Sequence, residues 1–204
     1  MWAQRWGIAD VSGAFDHADF LEAARIAGTS ENGVFAAKLM WGQLDDLVAT
    51  VRSVYPDDAS DTDLALLGRA FGNLRFVYLS RTDALAQAVS WLRAEQTGIW
   101  WETDETGTQM PGAAPSFDRV QLDALLSVID DHNAAWRGWF PASAVSPYEV
   151  RYEDVDTEPE TTVLSVLRHL GLRLPDEVKV ESQYHRLADR LNAEWIDRYR
   201  AAPI

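Results

Sequence analysis

Leu74-Arg75-Phe76-Val77-Tyr78-Leu79 has the composition of a short buried strand, and it runs through Ser80-Arg81-Thr82-Asp83 straight into a helical pattern. That pattern continues through Gln87-Ala88-Val89-Ser90-Trp91 to Gln96-Thr97-Gly98. A strand entering a capped helix through an arginine is the βα junction of an α/β protein. At such a junction the first backbone N–H groups and the positive helix end point outward together, toward anions. The junction therefore predicts a phosphate position at the carboxyl edge of a sheet. A nucleotide site of this kind usually needs a second, glycine-rich phosphate loop, and none occurs in the 204 residues.

The rest of the chain alternates in the same way. Apolar spacing predicts a helix from Asp16 to Ala27 ended by Gly28, and a turn at Asn32-Gly33. Val34 to Trp41 is a continuous apolar run, the pattern of a strand covered on both faces inside a parallel sheet. Helices are expected at Gln43 to Val54, Leu64 to Phe71 and Asp83 to Ala94, around the acidic loop Tyr55 to Asp61. Thr103 to Pro115 is polar and rich in turn formers, as a mobile loop would be. Ser116 is placed to cap a long helix running to Phe140 and closed by Pro141, and Tyr148 to Glu153 reads as a third strand. Thr157-Glu158-Pro159-Glu160 has capping-box spacing and an early proline, opening a helix from Thr161 to His169 that Gly171 closes. The last helix spans Tyr184 to Arg200. No internal repeat or linker is visible, so residues 1–204 are expected to form one domain. The order implies a three-layer α/β/α fold with a central, mostly parallel sheet. Three strands are few for such a fold, which points to material missing at the front.

Charge and composition narrow the function. A formal charge of -14 argues against nonspecific nucleic-acid binding, which needs a basic face. With no cysteine, disulfides, thiol catalysis and cysteine-ligated zinc are excluded. His17, His132, His169 and His185 lack metal-ligand spacing and a nucleophile partner, and are expected on helix surfaces. No metal is called for. The amino terminus lacks the apolar core of a signal peptide and no apolar run reaches the length of a membrane span, so a cytoplasmic protein is expected. Nine tryptophans, Trp41, Trp91, Trp100 and Trp101 among them, suit either the core or stacking on sugar rings. The only lysines are Lys38 and Lys179, and Lys38 stands inside an apolar run.

In order, Gly33-Val34-Phe35-Ala36-Ala37-Lys38-Leu39-Met40-Trp41-Gly42, Leu79-Ser80-Arg81 with Gln87-Ala88-Val89-Ser90, and Gln96-Thr97-Gly98-Ile99-Trp100 resemble segments of the sulfotransferase superfamily. Val150-Arg151-Tyr152-Glu153-Asp154-Val155, Leu167-Arg168-His169-Leu170-Gly171-Leu172, and Arg186-Leu187-Ala188-Asp189 with Asn192-Ala193-Glu194-Trp195 continue the likeness. The nearest match is the bacterial carbohydrate sulfotransferase family of the trehalose 2-sulfotransferase type. The resemblance implies 3′-phosphoadenosine 5′-phosphosulfate (PAPS) as donor co-substrate and a sugar hydroxyl, such as that of trehalose, as acceptor. It also implies a homodimer.

On the same resemblance, Arg81 and Ser90 fall on the motif that holds the donor's 3′-phosphate, and Arg186 is a candidate for a further phosphate contact or an ion pair with Asp189. Lys38 matches a lysine that faces the transferring group, or it is a lysine reaching out past the sheet to solvent. A guanidinium fork and a hydroxyl suit a phosphate. Ser90, however, lies about two turns, roughly 12 Å, along its helix, so the phosphate must lie on the helix flank and not on its tip.

The family's Thr-x-Arg-Ser-Gly-Ser-Thr-like loop for the 5′-phosphosulfate is absent, and it and the general base are expected upstream of residue 1. The chain as given is then expected to transfer little or no sulfate. Two alternatives remain: a noncatalytic remnant that binds nucleotide or a protein partner, and an acidic, tryptophan-rich interaction protein. A kinase-like activity is disfavoured, since neither a Walker loop nor a magnesium-binding carboxylate motif is present.

Overall fold

The computed structural model describes residues 16–55, 62–100, 114–175, 177, 178, 180 and 190–201. It divides into two compact units, residues 1–75 with 138–145, and residues 76–137 with 146–204. The expected loops at Tyr55 to Asp61 and Thr103 to Pro115, and the first part of the expected last helix, lie largely outside the described residues.

In the first unit, helix α1 (His17–Gly28) starts where the Asp16 carboxylate accepts the N–H groups of Ala18 and Asp19. Such a cap satisfies donors that the first helical turn leaves without partners. Asn32-Gly33 forms the expected turn, with Gly33 at φ +80° and its N–H on the Ser30 carbonyl. The turn folds Phe35 back beside Thr29 in a single antiparallel bridge. Gly28 is required there, because a Cβ would meet Phe35 Cε2 at 2.7 Å and the Ala36 carbonyl at 3.0 Å. Helices α2 (Trp41–Val54) and α3 (Asp63–Phe71) bury Leu44, Val48, Val51, Leu66 and Leu67, and the Phe35 ring stacks on Phe71 at 5.1 Å.

The strand expected at Val34 to Trp41 does not form. Beyond the one bridge these residues have no regular structure until α2 begins, and Ala36, Ala37, Lys38 and Met40 are exposed. A short apolar run cannot by itself distinguish strand from helix start. It becomes a strand only where a ladder satisfies its N–H and C=O groups, and among the described residues no strand lies alongside it.

In the second unit, β1 (Val77–Ser80) and β2 (Tyr148–Arg151) pair in parallel, with Val77 opposite Tyr148 and Ser80 opposite Arg151. The two strands therefore end at the same level. β1 leads into α4 (Ala84–Thr97), and α5 (Arg119–Ala142) follows, its last residues belonging to the first unit. β2 leads into the short α6 (Tyr152–Thr157), then α7 (Pro159–Leu170), and α8 (Arg190–Ala201) ends the described chain. The core joins Ala88, Val89 and Leu92 of α4 to Leu122 and Ile129 of α5 and Trp195 of α8.

Four expectations change here. β1 is not covered on both faces: Val77 and Leu79 are 41% and 56% exposed, since α4 packs against α8 and the core lies between helices. Tyr152 and Glu153 open a helix and do not extend a strand. The cap of α5 comes from Asp118, whose carboxylate accepts the Gln121 N–H; Ser116 instead exchanges its backbone N–H and C=O with the Gln96 amide. Thr157 gives its hydroxyl to the Glu153 carbonyl, so no capping box opens α7, although Pro159 does start it and Gly171 ends it at φ +74°. Among the described residues the fold is mixed α/β, mostly helical, with a small parallel sheet.

Candidate functional site

The common end level of β1 and β2 sets two turns side by side: Arg81-Thr82-Asp83 before α4, and Arg151-Tyr152-Glu153 at the start of α6. Arg81 leaves its strand and lays its guanidinium over the Tyr152 ring, 4.4 Å from the centroid. A guanidinium on an aromatic face gains cation–π attraction while its N–H edge stays available. Its Nε is buried and has no hydrogen-bond partner among the described residues. A buried donor left unsatisfied is costly and calls for a partner.

The helix tip is already taken. The Glu153 carboxylate accepts the Thr82 N–H at 2.9 Å, the Asp83 N–H at 3.4 Å and the Thr82 hydroxyl at 3.4 Å, while Asp83 caps α4 through the Ala86 N–H at 2.9 Å. Arg200 Nη2 of α8 lies 4.0 Å from the Asp83 carboxylate. Desolvation pushes the Glu153 carboxyl up, but hydrogen bonds from its own backbone, from Thr82 and from Asp83 outweigh it and hold the group below its ordinary 4.5. Two carboxylates at the start of α4 leave no room for a third anion there.

Ser90 lies on α4 beyond this turn, half-buried, and its hydroxyl has no hydrogen-bond partner among the described residues. Lys38 belongs to the first unit, on the irregular segment before α2, exposed and without an ion pair among the described residues. Arg186 lies outside the described residues. Arg81 and Ser90 thus share one unit and one βα element; Lys38 does not share it.

A cavity of about 270 Å³ opens between β2, α6 and α7. Glu149, Asp154 and Glu158 line it with threonine hydroxyls, which disfavours a phosphate there. Of the described histidines, His17 bonds Ser53 and His169 stacks on Tyr148 at 4.7 Å. Among the described residues, no three His, Cys, Asp or Glu side chains are grouped to hold a metal ion, and no helix is long and apolar enough to cross a membrane.

Comparison with known proteins decides the family. The pattern of the family described as Stf0 sulphotransferase matches residues 1–202. The chain belongs to the Stf0 sulphotransferase family. A trehalose 2-sulfotransferase of Mycobacterium tuberculosis is 30% identical over 188 residues, covering 88% of this chain and 66% of that protein. A trehalose 2-sulfotransferase of Mycolicibacterium smegmatis is 28% identical over 197 residues, covering 95% of this chain and 70% of that protein. The chain thus spans about two thirds of the length of these curated relatives.

Within this Stf0 chain, sequence reasoning proposed Arg81 and Ser90 but assigned no role to Tyr152 or Glu153, which it placed in a strand. No local signal could have found the pair: Tyr152 and Glu153 come to Arg81 only through the parallel register that sets Ser80 opposite Arg151.

Proposed function

We propose that this chain is a PAPS-dependent carbohydrate sulfotransferase, with trehalose, the acceptor in its relatives' names, as the nearest acceptor. The observation that carries the reading is Arg81: a guanidinium stacked on Tyr152, with a buried Nε unsatisfied among the described residues, at the carboxyl end of a parallel strand. Arg81 and the Ser90 hydroxyl, which has no hydrogen-bond partner among the described residues, fit a phosphate on the flank of α4, whereas the α4 tip, filled by Glu153 and Asp83, does not.

In sulfuryl transfer, a sugar hydroxyl attacks sulfur in line, the sulfur–oxygen bond to the leaving phosphate breaks, and 3′,5′-adenosine bisphosphate departs. Charge builds on that leaving oxygen. The 3′-phosphate is remote from the reacting sulfur, so Arg81 and Ser90 orient the donor and contribute to its affinity. Lys38 is the proposed cation for the developing charge, and Arg186 a further contact to the donor's phosphates. In this reading the chain is one domain of the family's three-layer α/β/α fold, works in the cytoplasm as a homodimer, and needs no metal. Transfer by these 204 residues is expected to be slight. They hold no glycine-rich loop for the 5′-phosphosulfate and no assigned general base, the latter alone contributing about 10²–10⁴-fold.

Calorimetric titration with 3′,5′-adenosine bisphosphate tests the binding half. Wild type is expected to bind, and Arg81→Ala to lose about 10–100-fold, the range for a charge-assisted contact. Absence of binding, or unchanged affinity in Arg81→Ala, contradicts the proposal and favours an interaction protein without a nucleotide site. A transfer assay with labelled donor and trehalose tests the other half, with robust turnover overturning the expectation of slight activity.

A further inference from the structure

We infer that Glu153 is the positioning residue of the Arg81 site, setting where a nucleotide's 3′-phosphate is held without touching it. The inference rests on the reading of Arg81 as a phosphate ligand. Glu153 and Thr82 are 71 residues apart in sequence, yet one carboxylate ties the two turns together through Thr82 N–H, Thr82 Oγ1 and Asp83 N–H. Arg81 immediately precedes this tie in the turn after β1, and Tyr152 immediately precedes it at the start of α6. The two form the stack at 4.4 Å.

Arg81 Nε has no hydrogen-bond partner among the described residues, so the ring beneath the guanidinium and the backbone on either side decide where it points. Both are anchored by Glu153. The same carboxylate removes the α4 tip as a competing anion seat, because it consumes the N–H groups of Thr82 and Asp83 that would otherwise face a phosphate. A phosphate is thereby confined to the guanidinium and the helix flank where Ser90 lies. Glu153 thus gives discrimination between nucleotides with and without a 3′-phosphate.

The test compares 3′,5′-adenosine bisphosphate with 5′-AMP in calorimetry on the whole chain, for wild type, Arg81→Ala, Glu153→Ala and Glu153→Gln. Glu153→Ala is expected to weaken the bisphosphate about tenfold and leave 5′-AMP within about twofold. Glu153→Gln, which keeps one acceptor oxygen for Thr82, should recover most of the loss. Val51→Ala, a core change in the first unit, serves as a stability control and should leave the ratio of the two affinities as in wild type. If Arg81→Ala abolishes discrimination but Glu153→Ala does not, the inference is overturned and the phosphate reading stands. If Arg81→Ala leaves discrimination intact, or neither nucleotide binds, the phosphate reading itself is overturned. A ligand-free measurement decides the positioning in every case: the Arg81 Nε–H proton signal should exchange slowly in wild type and Glu153→Gln, and rapidly in Glu153→Ala. Equal protection in all three would refute the positioning role.

Discussion

Two apolar runs of this chain, Val34 to Trp41 and Leu74 to Leu79, look alike as text and fold differently. The second finds β2 as a parallel partner and forms the strand Val77–Ser80, which ends just before Arg81. Among the described residues the first makes a single bridge, to Thr29 across a turn, and passes irregularly into α2, held in the first unit by Gly28's close approach and the Phe35–Phe71 stack. The difference teaches that composition nominates a strand while a ladder makes one. It also separates the candidate residues. Arg81 inherits a defined position from its strand; Lys38, on the run that stayed irregular, does not.

Substitutions can break this contrast. The largest effect is expected in the helical core that supports the Arg81 side. Leu92 is fully buried against α5 and α8, so Leu92→Ala should cost about 2–5 kcal/mol in urea unfolding. Leu79→Ala, on the exposed strand face, should stay within about 0.5 kcal/mol. Comparable losses would mean that β1 is covered after all. On the other side, Gly28→Ala puts a methyl group against Phe35 and the Ala36 carbonyl, and about 1–3 kcal/mol is expected from that overpacking. No loss would show that the irregular run is not held where α1 ends.

A finer test separates side chain from backbone at the start of α5. Asp118→Ala should cost about 1 kcal/mol as a lost cap. Ser116→Ala should be near neutral, because Ser116 bonds Gln96 only through its main chain. The smallest effect concerns acid. Glu153 is held below its ordinary 4.5, so its contribution is present above that value and is lost as pH falls through its lower folded value. Tyr199 has the opposite sign. Its hydrogen bond to Asp123 and its burial raise it above the ordinary 10.0, so its contribution fades as pH rises past that point. Urea midpoints in Glu153→Gln and Tyr199→Phe, followed across pH, should lose the acid and the alkaline part of the profile respectively.

Most helices were legible in the sequence because their ends are written in single residues: Asp16 before α1, Gly98 after α4, Gly171 after α7. Asp118 was passed over for Ser116, since both stand near the helix start and only geometry tells which carboxylate or hydroxyl reaches a free N–H. Arg81 was legible because a strand-to-helix junction is a local pattern. Its surroundings were not, because Tyr152 and Glu153 reach it through strand register across some 70 residues, and register is a property of the folded sheet. The tip of α4 looked open to an anion for the same reason: the carboxylate filling it comes from a distant turn.

A crystal structure of the chain with 3′,5′-adenosine bisphosphate tests the central claim most directly. The account predicts the 3′-phosphate within hydrogen-bond reach, about 2.7–3.2 Å, of the Arg81 guanidinium and the Ser90 hydroxyl, with Glu153 still seated on Thr82 and Asp83. A nucleotide found with its 3′-phosphate elsewhere, and Arg81 resting on Tyr152 without contact to it, would contradict the account.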